Sequence, residues 1–429
     1  MEIVKVNPKS AEIERLCSRE VAPSKEIHDK VMAILADVKK RGYAAALEYA
    51  QKFDGLTGKT LRVTDASIAK SAAKAGPALR KALRTAIKNV RDFHKNQMEE
   101  SWLMEAQDGV VLGQRIRPMK RVGLYVPGGA GVYPSTVIMN AVPALVAGVE
   151  DIVVVTPIKD EINPAVAFVL MELGIKEVYH IGGAQAVAML AYGAKDAKGK
   201  TIVERVDKIV GPGNVFAAIA KKEVFGVVDI DMVAGPSEVL VMADSACDAD
   251  FVAADLLSQA EHGSGFEAAI CITDNMETAK MISACVDEQV ENSPKRELLK
   301  KVLDNFGRIL VVKDWFDGVA IANRIAPEHL EVMTSEAESM AAQIENAGAV
   351  FIGPWSSEPV GDYFAGPNHV LPTNGTGRFF SPLGVYDFLK RMSIVRYSEK
   401  AIKKNAKAIA TVAMEEGFYH HAQAVLKRL

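Results

Sequence analysis

Cysteine is scarce and scattered in this chain. Its four cysteines, Cys17, Cys247, Cys271 and Cys285, form no CxxC pair. That argues against a cysteine zinc ribbon or a thioredoxin-like motif and fits a reducing compartment. An excess of one charge is missing too: 51 Lys and Arg stand against 54 Asp and Glu, a net charge of −3. No global field therefore draws nucleic acid. The first sixteen residues, MEIVKVNPKSAEIERL, are mixed and charged and lack the apolar run of a signal peptide. The longest apolar stretch, 137–149, is interrupted by Asn140 and Pro143 and falls short of the ~20 residues that cross a bilayer. Internal repeats and low-complexity segments are also absent. These absences lead us to expect a soluble, cytoplasmic protein without nucleic-acid or membrane partners.

What is there reads as ordinary globular protein. Of 429 residues, 49% are hydrophobic and 24% charged, enough apolar surface for two or three domains without disulfide staples. Residues 25–53 and 68–104 carry apolar positions at helical spacing. From Arg121 onward, short apolar runs such as 122–126, 151–156, 239–242 and 268–272 alternate with amphipathic stretches of helical length. Such alternation predicts βαβ units and parallel sheets. The runs outnumber the strands of one doubly wound sheet, so two Rossmann-like α/β domains are expected, with a helical N-terminal segment and a small helical C-terminal tail. The expected division is an arm over 1–25, a main α/β domain from 26–124 and 237–383, and a nucleotide-binding α/β domain over 125–236. A small strand/helix segment over 384–410 and a tail over 411–429 complete it.

Three glycine-rich turns stand where a strand gives way to a helix: Tyr125-Val-Pro-Gly-Gly-Ala-Gly131, Gly182-Gly183-Ala-Gln185 and Gly211-Pro-Gly213-Asn214. Such turns let backbone N–H groups approach a pyrophosphate. None is a GxGxxG, and no acidic residue stands in the usual relation to a ribose. Each could equally be a structural turn; three together favour a ligand cleft without naming the ligand.

The eight histidines say more. His28 and His94 sit in charged helical surroundings and read as surface residues, and His180 reads as a strand-end or core residue. Gln259 and His262 are three apart near a helix end, so one face presents an amide oxygen and an imidazole; a capping histidine is the plainer alternative. Glu328-His329 follows Pro327, which favours extended geometry. Their side chains are then expected to point opposite ways and serve different atoms of a substrate, as an acid/base pair would. A solvated turn is the alternative. Asp362 and His369 share a loop rich in Gly and Pro. In the tail, His420 and His421 point about 100° apart on a helix, so at most one can enter a given site. Pooled, Gln259, His262, Asp362 and one tail histidine form an N/O ligand set suited to zinc or a harder divalent ion.

The blocks YVPGGAGVYPSTVIMNAVPA, IGGAQAVA, VDKIVGPGN, IDMVAGPSEVLV, DLLSQAEHGSG, ANRIAPEHLEV, GDYFAGPNHVLPT and the terminal HAQAV resemble histidinol dehydrogenase, in order and along nearly the whole chain. The first hundred residues are covered least. The stretch DAKGKTIVERV, 196–206, departs from the tighter spacing such a chain would have before VDKIVGPGN. The resemblance implies two successive NAD+-dependent oxidations at one site, from L-histidinol through L-histidinaldehyde to L-histidine. It implies one Zn2+ per subunit on Gln259, His262, Asp362 and His421, and a catalytic pair in Glu328 and His329. Substrate contacts would come from Ser237, Gln259, His262, His329, Asp362, His369, Glu416 and His421, and NAD+ contacts from Tyr125, Gln185 and Asn214. It also implies a homodimer in which one subunit's tail completes the other's site. A cysteine-based aldehyde dehydrogenase is the rival enzyme class, but Cys247, Cys271 and Cys285 lie in strand or helix patterns without an adjacent base. A non-catalytic binding protein would not need the Glu328-His329 pair.

Overall fold

The computed structural model describes residues 1–19, 24–128, 133–233, 235–262 and 265–429. Gly129–Gly131 of the first glycine-rich turn, and Gly263-Ser264 after His262, lie outside the described residues. Two parallel sheets organise the chain. The first has six strands in the order Glu2–Lys5, Gly307–Val311, Ala268–Thr273, Glu238–Ala243, His329–Met333, Ala349–Ile352. The second has five, in the order Asp229–Ile230, Lys208–Val210, Arg121–Tyr125, Asp151–Thr156, Glu177–His180. Their central strands are continuous apolar runs because helices cover both faces: all six residues of Glu238–Ala243 are buried.

The helices that place functional groups have local reasons to begin and end where they do. Asp248 caps Ala249–Ala260 by accepting from the Asp250 N–H, and the helix ends next to Glu261. Asn214 caps Val215–Val224 through the N–H groups of Phe216 and Ala217. Trp315–Ile325 stops at Ala326, which adopts a left-handed φ of 47° and turns the chain into Pro327, where the helix cannot continue.

The packing groups the segments differently from expectation. Glu2–Lys5 is not a loose arm: it pairs in parallel register with Arg308–Val311 at the edge of the six-stranded sheet. The N-terminal helices join the five-stranded sheet rather than the segment 237–383. Val31, Leu35, Val38 and Ala45 share a core with Val153, Ile181 and Leu190. Ile68, Leu83 and Val90 share another with Val122, Val154 and Phe168. The apolar stripes of Lys25–Arg41 and Pro77–Lys95 are buried there, so burial and not chain order decides the grouping. His94, read as a surface residue, is buried, with Nδ1 2.7 Å from the Val90 carbonyl oxygen. A third sheet was not foreseen: Leu389–Arg396, Val111–Pro118 and Trp102–Glu105 pair antiparallel. Residues 102–105 thus form an exposed edge strand where helix was expected. The helical tail is Tyr419–Leu426, packed on Glu399–Glu415.

Candidate active site

Glu238, Glu328 and His329 meet at the amino ends of two neighbouring strands. The strands pair with Val239 opposite His329, which sets Glu238 beside the turn carrying Glu328. The Glu238 N–H donates to Glu328 Oε2 at 3.0 Å, and the Glu238 carbonyl oxygen lies 3.0 Å from His329 Nδ1. The two side chains therefore do not diverge as adjacent extended residues would. Both are gathered onto the backbone of one residue, Glu238, with His329 Nδ1 and Glu328 Oε2 3.8 Å apart. With Nδ1 donating to a carbonyl, the lone pair of a neutral His329 is on Nε2, 3.5 Å from Asp362 Oδ1.

Electrostatics follow from burial. Desolvation pushes the Glu328 carboxyl up to about 8, against the charge of His329. For His329 desolvation works downward, but Glu328 and Asp362 outweigh it and lift the imidazole to about 10. Burial would raise Asp362, yet its bond to His329 and the charge of His369 hold it at about 2. His369 Nδ1 lies 3.1 Å from the Asp362 carbonyl oxygen. The loop carrying both is anchored by Asn368, whose amide donates to the Met139 carbonyl at 2.6 Å. His329, Phe351, Val360, Asp362, His369 and Leu371 line a cavity of about 230 Å³, the scale of a small polar molecule. A wider one of about 700 Å³ sits at the opposite, amino end of the five-stranded sheet, lined by residues such as Lys120, Arg121 and Asp207. No sequence-derived site residue lines it, whereas His329, Asp362 and His369 line the smaller cavity.

The helix Ala249–Ala260 delivers Gln259 to this region. Ser258 Oγ donates to Glu358 Oε2 at 2.8 Å, which fastens the helix end to the segment leading to Asp362. Gln259 is fully buried, and neither its amide oxygen nor its nitrogen has a partner among the described residues. An orphaned buried amide loses the full desolvation free energy of its polar atoms, and a bound cation removes that deficit at the oxygen. Desolvation lowers the His262 pKa, which favours the neutral imidazole a metal needs. Ligand-type atoms of His329, Glu358 and Asp362 lie within 4.8 Å of one another. The donor set thus fits a divalent ion. Ser237 is half-buried one residue before Glu238, and its carbonyl accepts from the Ala268 N–H at 3.1 Å.

Tyr125, Gln185 and Asn214 gather at the carboxyl ends of the five-stranded sheet, where its strand order reverses and a nucleotide crevice is expected. The aromatic ring of Tyr125 closes over the third glycine-rich turn: a Cβ on Gly213 would meet it at 3.2 Å. Each of the three polar side chains already has a partner. Tyr125 Oη accepts from the Gly183 N–H at 2.8 Å, and Gln185 Nε2 donates to Asp54 Oδ2 at 3.1 Å. Asn214 Oδ1 is taken up by its helix cap, leaving its amide nitrogen. Close glycine turns and side-chain donors fit a dinucleotide.

Glu416 and His421 are exposed on the tail, and among the described residues no hydrogen bond or ion pair links either to Asp362. Sequence reasoning missed four residues. Asp54 supplies the carboxylate that the glycine-rich turns lacked, reaching Gly182 N–H at 3.0 Å from a helix 128 positions away. Glu238 holds the catalytic pair, Arg19 holds Glu238 at 2.7 Å, and Glu358 backs Asp362. Only Glu238 had a nearby signal, a charge at the head of an apolar run. The cysteines take no part: burial pushes up the Cys271 thiol and lifts Cys247 to about 11.

Two parallel α/β units, a nucleotide crevice on one and a buried acid–imidazole pair on the other define a dehydrogenase scaffold. The histidinol dehydrogenase family model matches residues 17–429. The chain is 48% identical over 401 residues to the histidinol dehydrogenase of Geobacillus kaustophilus, covering 93% of each chain. It superposes with a TM-score of 0.92 on the crystal structure of histidinol dehydrogenase from Elizabethkingia anophelis, at 34% identity, covering 100% of this chain and 98% of that one. A betaine aldehyde dehydrogenase from Staphylococcus aureus shares the fold at a TM-score of 0.51 and 14% identity, covering 84% of this chain and 88% of that one. The chain belongs to the histidinol dehydrogenase family, a family of NAD-dependent oxidoreductases. Among the described residues, no helix is long and apolar enough to cross a membrane.

Proposed function

We propose that this chain oxidises L-histidinol through L-histidinaldehyde to L-histidine with two NAD+ in succession, the last steps of L-histidine biosynthesis, as a zinc-dependent cytoplasmic enzyme. The observation that carries the reading is the gathering of Glu328 and His329 on the backbone of Glu238, beside a cavity that Asp362 and His369 also line. Gln259, His262, Asp362 and His421 would hold zinc, which supplies a fixed cationic anchor for the imidazole and amine of the substrate. NAD+, against Tyr125, Gln185 and Asn214, supplies the hydride acceptor of each oxidation.

The chain's own residues handle protons and position. His329 Nε2 takes the carbinol proton while hydride leaves the carbon. Its Nδ1–H stays on the Glu238 carbonyl, which keeps the basic nitrogen turned to the cavity. A cation beside Asp362 would offset part of the negative charge, from Glu328 first and then Asp362, that keeps His329 protonated, and so favour its basic form. Glu328, its affinity for protons raised by burial, accepts a proton from the water that adds to the aldehyde. His329 then assists departure of the second hydride. Ser237, His369 and Glu416 complete the substrate's surroundings.

The exposed tail supports a homodimer in which the partner's Glu416 and the partner's His421 complete the site. Exposed Leu103, Met104, Val395, Val412 and Phe418 offer apolar surface for such a contact. A fully active monomer in sedimentation would contradict it. Histidinol should yield close to two NADH per molecule consumed. Glu328→Gln should slow aldehyde oxidation by about 100-fold or more while zinc stays bound; equal loss of both would contradict the role given to Glu328.

A further inference from the structure

We infer that the buried Arg19–Glu238 ion pair is a positioning device for the reaction, fixing the one residue, Glu238, whose backbone N–H and C=O orient Glu328 and His329. This deepens the proposed function and rests on it. Glu238 heads the central strand, 1% exposed. A lone carboxylate there would be strongly unfavourable. Two groups compensate it. Arg19 Nη2 approaches Glu238 Oε2 at 2.7 Å, and the Asn374 N–H donates to Oε1. Arg19 is itself buried, and its Nε donates to the Leu16 carbonyl at 2.7 Å. The guanidinium is thereby tied to the helix Ala11–Cys17, which packs on Trp315–Ile325. That second helix ends in the Ala326 turn that delivers Glu328 and His329.

The pair and the turn that carries it are thus held from two sides by one N-terminal element. Neither Arg19 nor Glu238 lines the cavity, so both act through the Glu238 peptide. Breaking the pair from one side leaves a buried charge next to Glu328, which moves the peptide or the carboxyl off its mark. Neutralising both sides removes that unbalanced charge.

The test compares Arg19→Gln, Glu238→Gln and the double variant with the parent, in the full zinc-loaded chain. kcat and KM for histidinaldehyde, KM for NAD+ and zinc per chain are measured. Each single variant should lower kcat about tenfold or more with KM for NAD+ and zinc content unchanged, and the double should return to within about threefold of the parent. A double variant as poor as the product of the singles overturns the inference, because additive losses mean the two side chains do not act through one another. So do singles with the parent's kcat. If Arg19→Gln does not fold, Arg19→Lys takes its place: it keeps the cation and should exceed Glu238→Gln in kcat, and equality or less overturns the inference. A parent that makes no NADH from histidinol overturns the functional reading as well, so the two failures are distinguishable.

Discussion

The two ends of this molecule treat their polar groups in opposite ways. At the amino end of the six-stranded sheet, both amide atoms of Gln259 are buried without a partner among the described residues, and His329 Nε2 is buried with Asp362 Oδ1 3.5 Å away. At the carboxyl end of the five-stranded sheet, Tyr125, Gln185, Asn214 and Asp54 all have partners within the chain. The first end is incomplete and gains by taking up an ion and a substrate. The second holds Tyr125 Oη, the Gln185 amide nitrogen and Asn214 Oδ1 in bonds already made, so a cofactor there exchanges some of those hydrogen bonds and its net gain is small. On the proposed function, this contrast suits a metal end of tight occupancy and a cofactor end that turns over between two successive NAD+.

The comparison can be broken at either end. The largest effect is expected at Gln259: Gln259→Leu should leave less than one zinc per chain and lower kcat by about 100-fold or more. Full zinc content in that variant would show that the orphaned amide is not a ligand. At the other end, Asp54→Ala removes the acceptor of Gln185 and of the Gly182 N–H. KM for NAD+ should rise roughly tenfold with kcat nearly unchanged, and an equal fall in kcat would place Asp54 in the chemistry instead.

The smallest effect concerns stability behind the metal end. Asp255 and Glu331 are buried together, and burial first, then each other's charge for Glu331, raises both carboxyls. The folded protein holds protons there that the unfolded chain releases above about pH 4. That stabilisation is present below the ordinary carboxylate range and is lost as pH rises towards the folded values. Glu331→Gln keeps an acceptor for the Glu358 N–H, bonded to Glu331 Oε1 at 2.7 Å, and removes the titration. Its Tm should exceed the parent's by about 1–3 °C at pH 8 and match it near pH 4; a gap that does not grow with pH would contradict the raised values.

Much of this was legible in the sequence, because periodicity is a local property. The alternation after Arg121 gave the parallel sheets, and SQAEH, APEHLE and GDY gave the residues the fold brings to the site region. What escaped was set by distance in the chain. Asp54, Arg19 and Glu358 work on partners far along the sequence, and nothing near them announces it. The divergence expected of Glu328 and His329 failed for a local reason: Glu328 lies in a bend ahead of the strand that begins at His329, not in extended chain. Residues 102–104 end a stretch, 68–104, whose apolar spacing reads as helix, yet pairing with Leu112–Gln114 draws them into a strand.

The central claim is that far-separated side chains jointly hold one divalent ion beside the Glu328–His329 pair. X-ray absorption at the zinc edge of purified, active enzyme tests it most directly. The account predicts about one zinc per chain in a shell of nitrogen and oxygen at about 2.0–2.2 Å, altered in Asp362→Asn. A sulfur shell near 2.3 Å, or full activity with no metal bound, would contradict it.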